Sequence, residues 1–346
     1  MVTIKDVAKQ AQVSTATVSY VLNNTGQVSQ RTREHVLKIV EELNYSMNTI
    51  AKTLRTSKSR TIGVIVEDMT VFVSPTIVDG VNQYVEEHDY HIIFSNLRLT
   101  QRFGHNFEQA ARESRQIKQT IGILLSRQID GIIYIGEHSR DVTDLLGTID
   151  RPIVYTHCFT RDNQDYSINY DDYTPAYAVG EMLVTSGHRR IALLSGLKNS
   201  TPAMLRARGF LQALEDQGAA IDLNMIKQCD WEYESAHQAA GELFAASPRP
   251  TAVFAMNDLM ALGVLDAARE AGLEVPRDVS IIGFDNREIS RYCRPQLTTI
   301  EPPYHAMGEM AAEIMLQMLE GQQPQQRSHT LDCTFIPRAS TGGMQP

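Results

Sequence analysis

The sequence predicts an α/β protein, with a small helix-turn-helix headpiece joined to a two-lobed core of doubly wound parallel sheets. Three observations carry that expectation. The N-terminal stretch holds three helix starts, each marked by a capping Ser or Thr ahead of apolar residues spaced three and four apart. Beyond Arg60 the pattern changes to short apolar runs of strand length, separated by helix-length amphipathic or polar stretches, which is how βαβ units read. The length of 346 residues exceeds one compact core and suits a head plus two lobes. The expected divisions are 1–46 for the head, 47–60 for a connecting arm and 61–346 for the core.

In the head, Thr3 and Asp6 stand in a Thr-x-x-Asp arrangement that satisfies free N–H groups at a helix start, and Ile4, Val7, Ala8 and Ala11 share one face. After the turn at Gln12-Val13, Ser14 caps a second helix whose stripe is Val18, Val21 and Leu22. Ser29 caps a third, with Val36, Leu37, Val40 and Leu43 expected inward. Three short helices bury little surface, so such a unit belongs on a larger body.

Charge separates the two parts. Residues 1–60 carry nine Lys or Arg against four acids, a net of +5, so a total of −9 leaves −14 on residues 61–346. A basic module on an acidic body fits a nucleic-acid binder with a separate regulatory domain, because only the head approaches phosphates.

In the core, TIGVIVED, YHIIFSN, DGIIYIGE and PIVYTHC form one strand series, and RRIALLSG, MIKQCDW, TAVFAMND and VSIIGFDN a second. Two doubly wound halves leave a cleft at the strand carboxyl ends, where a small ligand sits. A further passage between the lobes is expected from Phe284–Asn286 followed by Leu297–Pro303. Neither a signal peptide at Met1 nor a run of about 18 apolar residues is present, so export and membrane insertion are not signalled. Cys158, Cys229, Cys293 and Cys333 are scattered without Cys-x-x-Cys, which argues for reduced thiols in a cytoplasm and against a metal site. Gly-x-Gly-x-x-Gly and Gly-x-x-x-x-Gly-Lys-Ser/Thr are both missing, and His157 and Cys158, adjacent on a strand, face opposite ways. A binding protein without cofactor is therefore expected rather than an enzyme.

The run Thr-Ile-x-Asp-Val-Ala, followed by Val-Ser-x-x-Thr-Val-Ser-x-Val-Leu-Asn, resembles the LacI/GalR family of bacterial transcription regulators, and the resemblance extends over essentially the whole chain. Two positions depart from the family: Gln12 stands where Gly is usual in the turn, and Met47 where Pro is usual in the arm. The resemblance implies a periplasmic-binding-protein-like core and a homodimer on near-palindromic operator DNA, since one head covers only a half-site. The second helix then lies in the major groove, with Ser14 at its start and Thr15, Ala16 and Tyr20 at base edges. Thr17, Ser19, Asn23 and Thr32 resemble phosphate contacts. By the same resemblance the arm is a hinge helix that folds on the operator. There Leu54 wedges into a minor-groove step, Ala51 allows close approach, and Asn48, Lys52 and Arg55 meet the backbone.

For the cleft, Arg206 of Arg-x-x-Gly-Phe, Trp231 of Asp-Trp and Asp258 of Asn-Asp-x-Met-Ala match the family's effector-lining positions. The trio is more similar to the sugar-binding members than to the purine-binding ones. A guanidinium holds hydroxyls or a carboxylate, and an indole face stacks on a pyranose ring, with core packing as the alternative for Trp231. Asp258 also suits a helix cap. On the first lobe Phe72, Ser74, Asn96 and His157 are candidates, with either Asp171 or Asp172, and Asp285 joins them from the second. The expected effector is a small sugar or sugar phosphate, with a purine or nucleoside as the alternative.

Leu54→Ala is expected to weaken operator binding about ten-fold or more, because the wedge contributes a few kcal/mol only on DNA. Fluorescence titration with operator and with effector checks this; equal operator affinity in the variant rules out the wedge.

Overall fold

The computed structural model describes residues 2–22, 25–45, 59–104, 114–146, 149–161, 165–219 and 222–343. They fall into two compact units, divided between Ser59 and Arg60. Asn23, Asn48, Ala51, Lys52, Leu54 and Arg55 lie outside the described residues.

The head is built from α1 (Ile4–Gln10), α2 (Thr15–Leu22) and α3 (Gln30–Glu42). Each start is capped: the Asp6 carboxylate accepts from the Thr3 backbone N–H at 2.8 Å, and the Ser14 and Ser29 hydroxyls accept from Thr17 and Thr32 N–H groups. Gln12 takes φ 51° in the turn, the left-handed conformation that glycine adopts most readily. Val7, Ala8, Ala11, Val18, Val21, Val36 and Ile39 form the core. Leu37, expected inward, is 45% exposed. The buried face of α3 is Val36, Ile39, Val40 and Leu43, and Leu37 is turned about 100° away from Val36.

The first lobe runs β1 (Thr61–Val66), α4 (Val73–Glu87), β2 (His91–Asn96), α5 (Leu99–Phe103), α6 (Ser114–Ser126), β3 (Gly131–Ile135), α7 (Thr143–Leu146), β4 (Ile153–Thr156) and β5 (Tyr166–Tyr170). The chain then enters the second lobe through α8 (Tyr173–Thr185), β6 (Ile191–Ser195), α9 (Thr201–Asp216), β7 (Ile226–Gln228) and α10 (Tyr233–Ala245). β8 (Ala252–Ala255), α11 (Asp258–Glu270), β9 (Ser280–Ile282), α12 (Ile289–Tyr292) and β10 (Thr299–Glu301) complete it. It returns through α13 (Tyr304–Leu319), which packs on α4, and β11 (Ser328–Leu331), and passes back at β12 (Thr334–Ile336). The first sheet has the parallel order β11-β5-β4-β3-β1-β2 and the second β7-β6-β8-β9; β10 and β12 pair antiparallel beside them. Strands β1 and β3 read as continuous apolar runs because helices cover both sheet faces.

Helices α4 and α13 approach so closely at Gly80 and Gly308 that a Cβ on either would lie 2.1 Å from a carbonyl oxygen of the facing helix, His305 or Ile77. Since backbone cannot yield as a side-chain tip does, Gly308→Ala is expected to destabilise the core by about 1–3 kcal/mol. Urea unfolding with circular dichroism measures this; an unchanged midpoint would show that the helices separate without cost.

Candidate functional site

In the head, Ser14, Thr15, Ala16 and Tyr20 are exposed along α2, with Tyr20 48% accessible. Its ring lies against Gly26, where a Cβ would sit 3.0 Å from it. The Thr17 and Thr32 hydroxyls sit 2.9 Å and 2.8 Å from the capping hydroxyls of Ser14 and Ser29, so both also serve the helix starts. Ser19 is half-buried.

In the core, a cavity of about 360 Å³ opens between the carboxyl ends of the two parallel sheets. The first lobe brings the Thr70–Val73 loop after β1, Glu137 and His138 after β3, His157 after β4, and Tyr170 at the end of β5. The second lobe brings Leu197, Asn199 and Ser200 after β6, Trp231 after β7, Asn257 after β8, and Asp285 and Arg287 after β9. Arg206 and Tyr304 line it as well. Every strand of a doubly wound sheet delivers its following loop to this edge, which is why so many separated segments meet here.

Arg206 is almost wholly buried, and its guanidinium is fully engaged. Nε donates to Asp172 at 2.8 Å, one terminal nitrogen to the Tyr170 hydroxyl at 2.9 Å and the other to the Met256 carbonyl. Asp285 lies 3.8 Å away, and the Phe284 ring centroid is 3.5 Å from the guanidinium carbon. Burial opposes its charge, but Tyr170, Asp172 and Asp285 together raise its pKa. Truncating it would leave Asp172 and Asp285 buried without a counter-charge, a loss of roughly 3–5 kcal/mol.

Of the positions expected from the sequence, Phe72, His157, Arg206, Trp231 and Asp285 meet in the cavity. Ser74, Asn96, Asp171 and Asp258 are not among its lining residues. The Ser74 hydroxyl donates to the Asp68 carbonyl at 2.8 Å, and Asn96 accepts from the Met69 and Arg98 N–H groups. Asp171 accepts from the Tyr173 and Thr174 N–H groups at the start of α8, leaving Asp172 to hold Arg206. The cap of α11 is Asn257, which accepts from the Met260 N–H. Asp258 is fully buried beneath it and accepts from the Thr299 hydroxyl at 2.6 Å and the Arg287 N–H at 2.7 Å.

Sequence reasoning missed Tyr170, Asn257, Glu137, Arg287 and Tyr304. Glu137, Asn257 and Arg287 follow predicted strands, and that position was the available signal. Tyr304 had none, since it reaches the cavity only because α13 returns from the second lobe.

Three lining residues, His157 (φ 58°), Trp231 (φ 77°) and Asp285 (φ 103°), adopt backbone conformations that L residues avoid. Such strain persists only where surrounding structure enforces it, and it gathers at ligand sites. Gly196 leaves room for one case, since a Cβ there would lie 2.1 Å from the Trp231 ring. Burial, with Arg206 and Arg140 nearby, lowers the pKa of His157 to about 4, so its imidazole is neutral at physiological pH. Burial raises Asp285 to about 7, against the opposing pull of Arg206. Burial and the Asp285 charge raise Asp258 to about 8. Among the described residues no His, Cys, Asp and Glu cluster suits a metal, and no helix is long and apolar enough to cross a membrane.

A helix-turn-helix unit on a two-lobed, cleft-bearing core defines a DNA-binding transcription regulator of the ligand-responsive kind. Residues 3–48 match the model for bacterial regulatory proteins of the lacI family, and residues 181–341 match that for a periplasmic binding protein-like domain. The HTH-type transcriptional repressor CytR of Escherichia coli (strain K12) is 34% identical over 98% of this chain and 96% of its own length. The ribose operon repressor of Haemophilus influenzae (strain ATCC 51907 / DSM 11121 / KW20 / Rd) is 31% identical over 98% of both. The lac repressor dimer bound to operator and the anti-inducer ONPF superposes with a TM-score of 0.81 at 28% identity, over 99% of both chains. The chain belongs to the LacI family and is a transcription regulator.

The raised carboxyls have a thermodynamic consequence. Folded Asp258 keeps its proton up to about pH 8, whereas in the unfolded chain an Asp releases it near about pH 3.9. Between those values the folded state binds more protons, so stability falls as pH rises through this window and levels off above it. Asp258→Asn is expected to flatten that slope by up to about 1.4 kcal/mol per pH unit, the limit for one proton. Urea midpoints from pH 5 to 8 test it; parallel profiles for wild type and variant would refute the buried-proton assignment.

Proposed function

We propose that this chain is a homodimeric repressor of a carbohydrate-use operon, working in the cytoplasm and controlled by a small saccharide or sugar-phosphate effector. The observation that carries the effector class is the pairing, in one cavity, of aromatic faces with fixed polar groups. Phe72 and Trp231 line it together with Asp285 and Asn257, and Arg206 is locked beside them. Sugars present that combination, apolar C–H faces edged by hydroxyls. The similarity to a repressor named for the ribose operon supports the same class.

On this reading α2 reads the operator through Thr15, Ala16 and Tyr20, and residues 47–60 form the hinge between head and core. Two heads are needed because one covers only a half-site, and the lac repressor relative is a dimer on its operator. On this reading the core acts as a binding site, and Cys158, the thiol next to the cleft histidine in sequence, is buried with its pKa pushed up by burial. Effector binding shifts the lobes, and it changes operator affinity only by its differential affinity for the two arrangements.

Trp231→Ala and Arg206→Lys are each expected to lower effector affinity about ten-fold or more, the first through loss of stacking and the second because the planar fork that fixes Tyr170 and Asp285 in the cavity wall is lost, with operator affinity unchanged. Calorimetry with saccharides, sugar phosphates, nucleosides and purine bases, beside gel-shift titration of a near-palindromic operator, gives both readings. A purine base that binds tightly and is indifferent to Trp231→Ala overturns the saccharide reading.

A further inference from the structure

Trp231 is held in the cavity wall from several sides, and the groups that hold it come from separate strand ends. It is the one Trp of the chain, and its φ of 77° is a conformation that an L residue keeps only where its surroundings impose it. The backbone on either side is fixed. Before it, the Cys229 N–H donates to the Ser195 carbonyl at 2.7 Å, which ties the end of β7 to the end of β6. Around it, the Asp230 carboxylate accepts from the Glu232 N–H at 3.1 Å and from the Ser235 hydroxyl, a side-chain turn that spans Trp231.

Two further residues act on Trp231 itself. The Asn257 amide nitrogen donates to the Trp231 carbonyl at 2.9 Å, while its amide oxygen accepts from the Met260 N–H at 2.7 Å. One buried side chain thus joins the loop after β7 to the start of α11. Gly196, after β6, makes room for the ring. The three atoms nearest to a Cβ at that position all belong to the six-membered ring of the indole, at 2.1, 2.1 and 2.5 Å. The backbone of Gly196 lies outside the left-handed region, so the indole, and not the chain conformation, is what excludes a side chain there. The Arg206 guanidinium carbon, itself locked, is 5.8 Å from the indole centroid.

We propose that Gly196 and Asn257 are positioning residues that set the Trp231 indole in the cavity wall before a ligand arrives. The proposal rests on the reading of this cavity as the effector site, and it adds how the stacking surface is made ready. A ring already held in one rotamer loses no further freedom when the effector meets it, so the contact is not offset by the cost of ordering.

The test needs no effector, so its failure and the failure of the effector reading are told apart. In the full-length protein, fluorescence anisotropy and the longest-wavelength near-ultraviolet circular dichroism report how firmly the indole is held, with no second Trp to obscure them. Wild type should show high anisotropy and a strong band. Gly196→Ala and Asn257→Ser should each reduce the band by about half or more, as a ring released into several rotamers does. Ser keeps an oxygen to cap α11 and removes only the amide donor to Trp231. Urea unfolding followed by far-ultraviolet circular dichroism supplies the second reading. Gly196→Ala should lower the midpoint in the wild-type background and leave it nearly unchanged in Trp231→Ala, where the ring that excludes the Cβ is gone. A single variant that fails to fold beside a double variant that folds is the extreme of the same coupling and supports the proposal. Equal cost of Gly196→Ala with and without the indole overturns it, as does a wild-type band and anisotropy in Gly196→Ala or Asn257→Ser. A wild-type indole that is already mobile overturns it as well.

Discussion

A guanidinium taken out of water has to be surrounded by matched groups, and the core is arranged to do this for Arg206. Its partners come from the end of β5 (Tyr170), the start of α8 (Asp172), the turn after β8 (Met256) and the turn after β9 (Phe284 and Asp285). These segments are far apart in the chain, and two of them flank the first passage from one lobe to the other. One charge thus ties the floor of the second lobe to the strand that ends the first. The geometry of the cavity follows, since Tyr170 and Asp285, fixed by Arg206, are themselves part of its wall.

The same economy appears in the strained residues. His157, Trp231 and Asp285 each occupy an unfavourable backbone region at the end of a strand, and each turns its side chain toward the space between the lobes. Gly196 allows the indole to lie flat on the backbone, and the Asn257 side chain donates to the Trp231 carbonyl at 2.9 Å. Local strain is maintained by contacts that the rest of the fold supplies. For a regulator, walls held this firmly let small ligand contacts bias how the lobes meet.

Separate units carry the two tasks. The head's exposed α2 face is made by residues close in sequence, and depends on helix phase and capping. The cleft is assembled from strand ends of both parallel sheets and from segments that pass between the lobes, and depends on tertiary closure. That difference explains why Ser14, Thr15, Ala16 and Tyr20 were legible as an exposed face. It also explains why Asp258, in a motif suggestive of a ligand contact, proved to be a buried support for the turn carrying Arg287.

The sequence by itself determined the helix-turn-helix, the alternation of strands and helices, the two lobes and the loops that converge on the cleft, because these follow from short-range periodicity, capping and turn chemistry. Phe72, His157, Arg206, Trp231 and Asp285 were legible for that reason, or through their motif positions. Tertiary structure alone decided that Arg206 is spent on Asp172, that Ser74, Asn96 and Asp171 serve the backbone, that Tyr304 arrives from a returning helix, and that Nε2 of His157 is left without a partner. Whether a polar side chain faces a ligand or a neighbouring N–H depends on which distant segments close around it, and no local pattern encodes that.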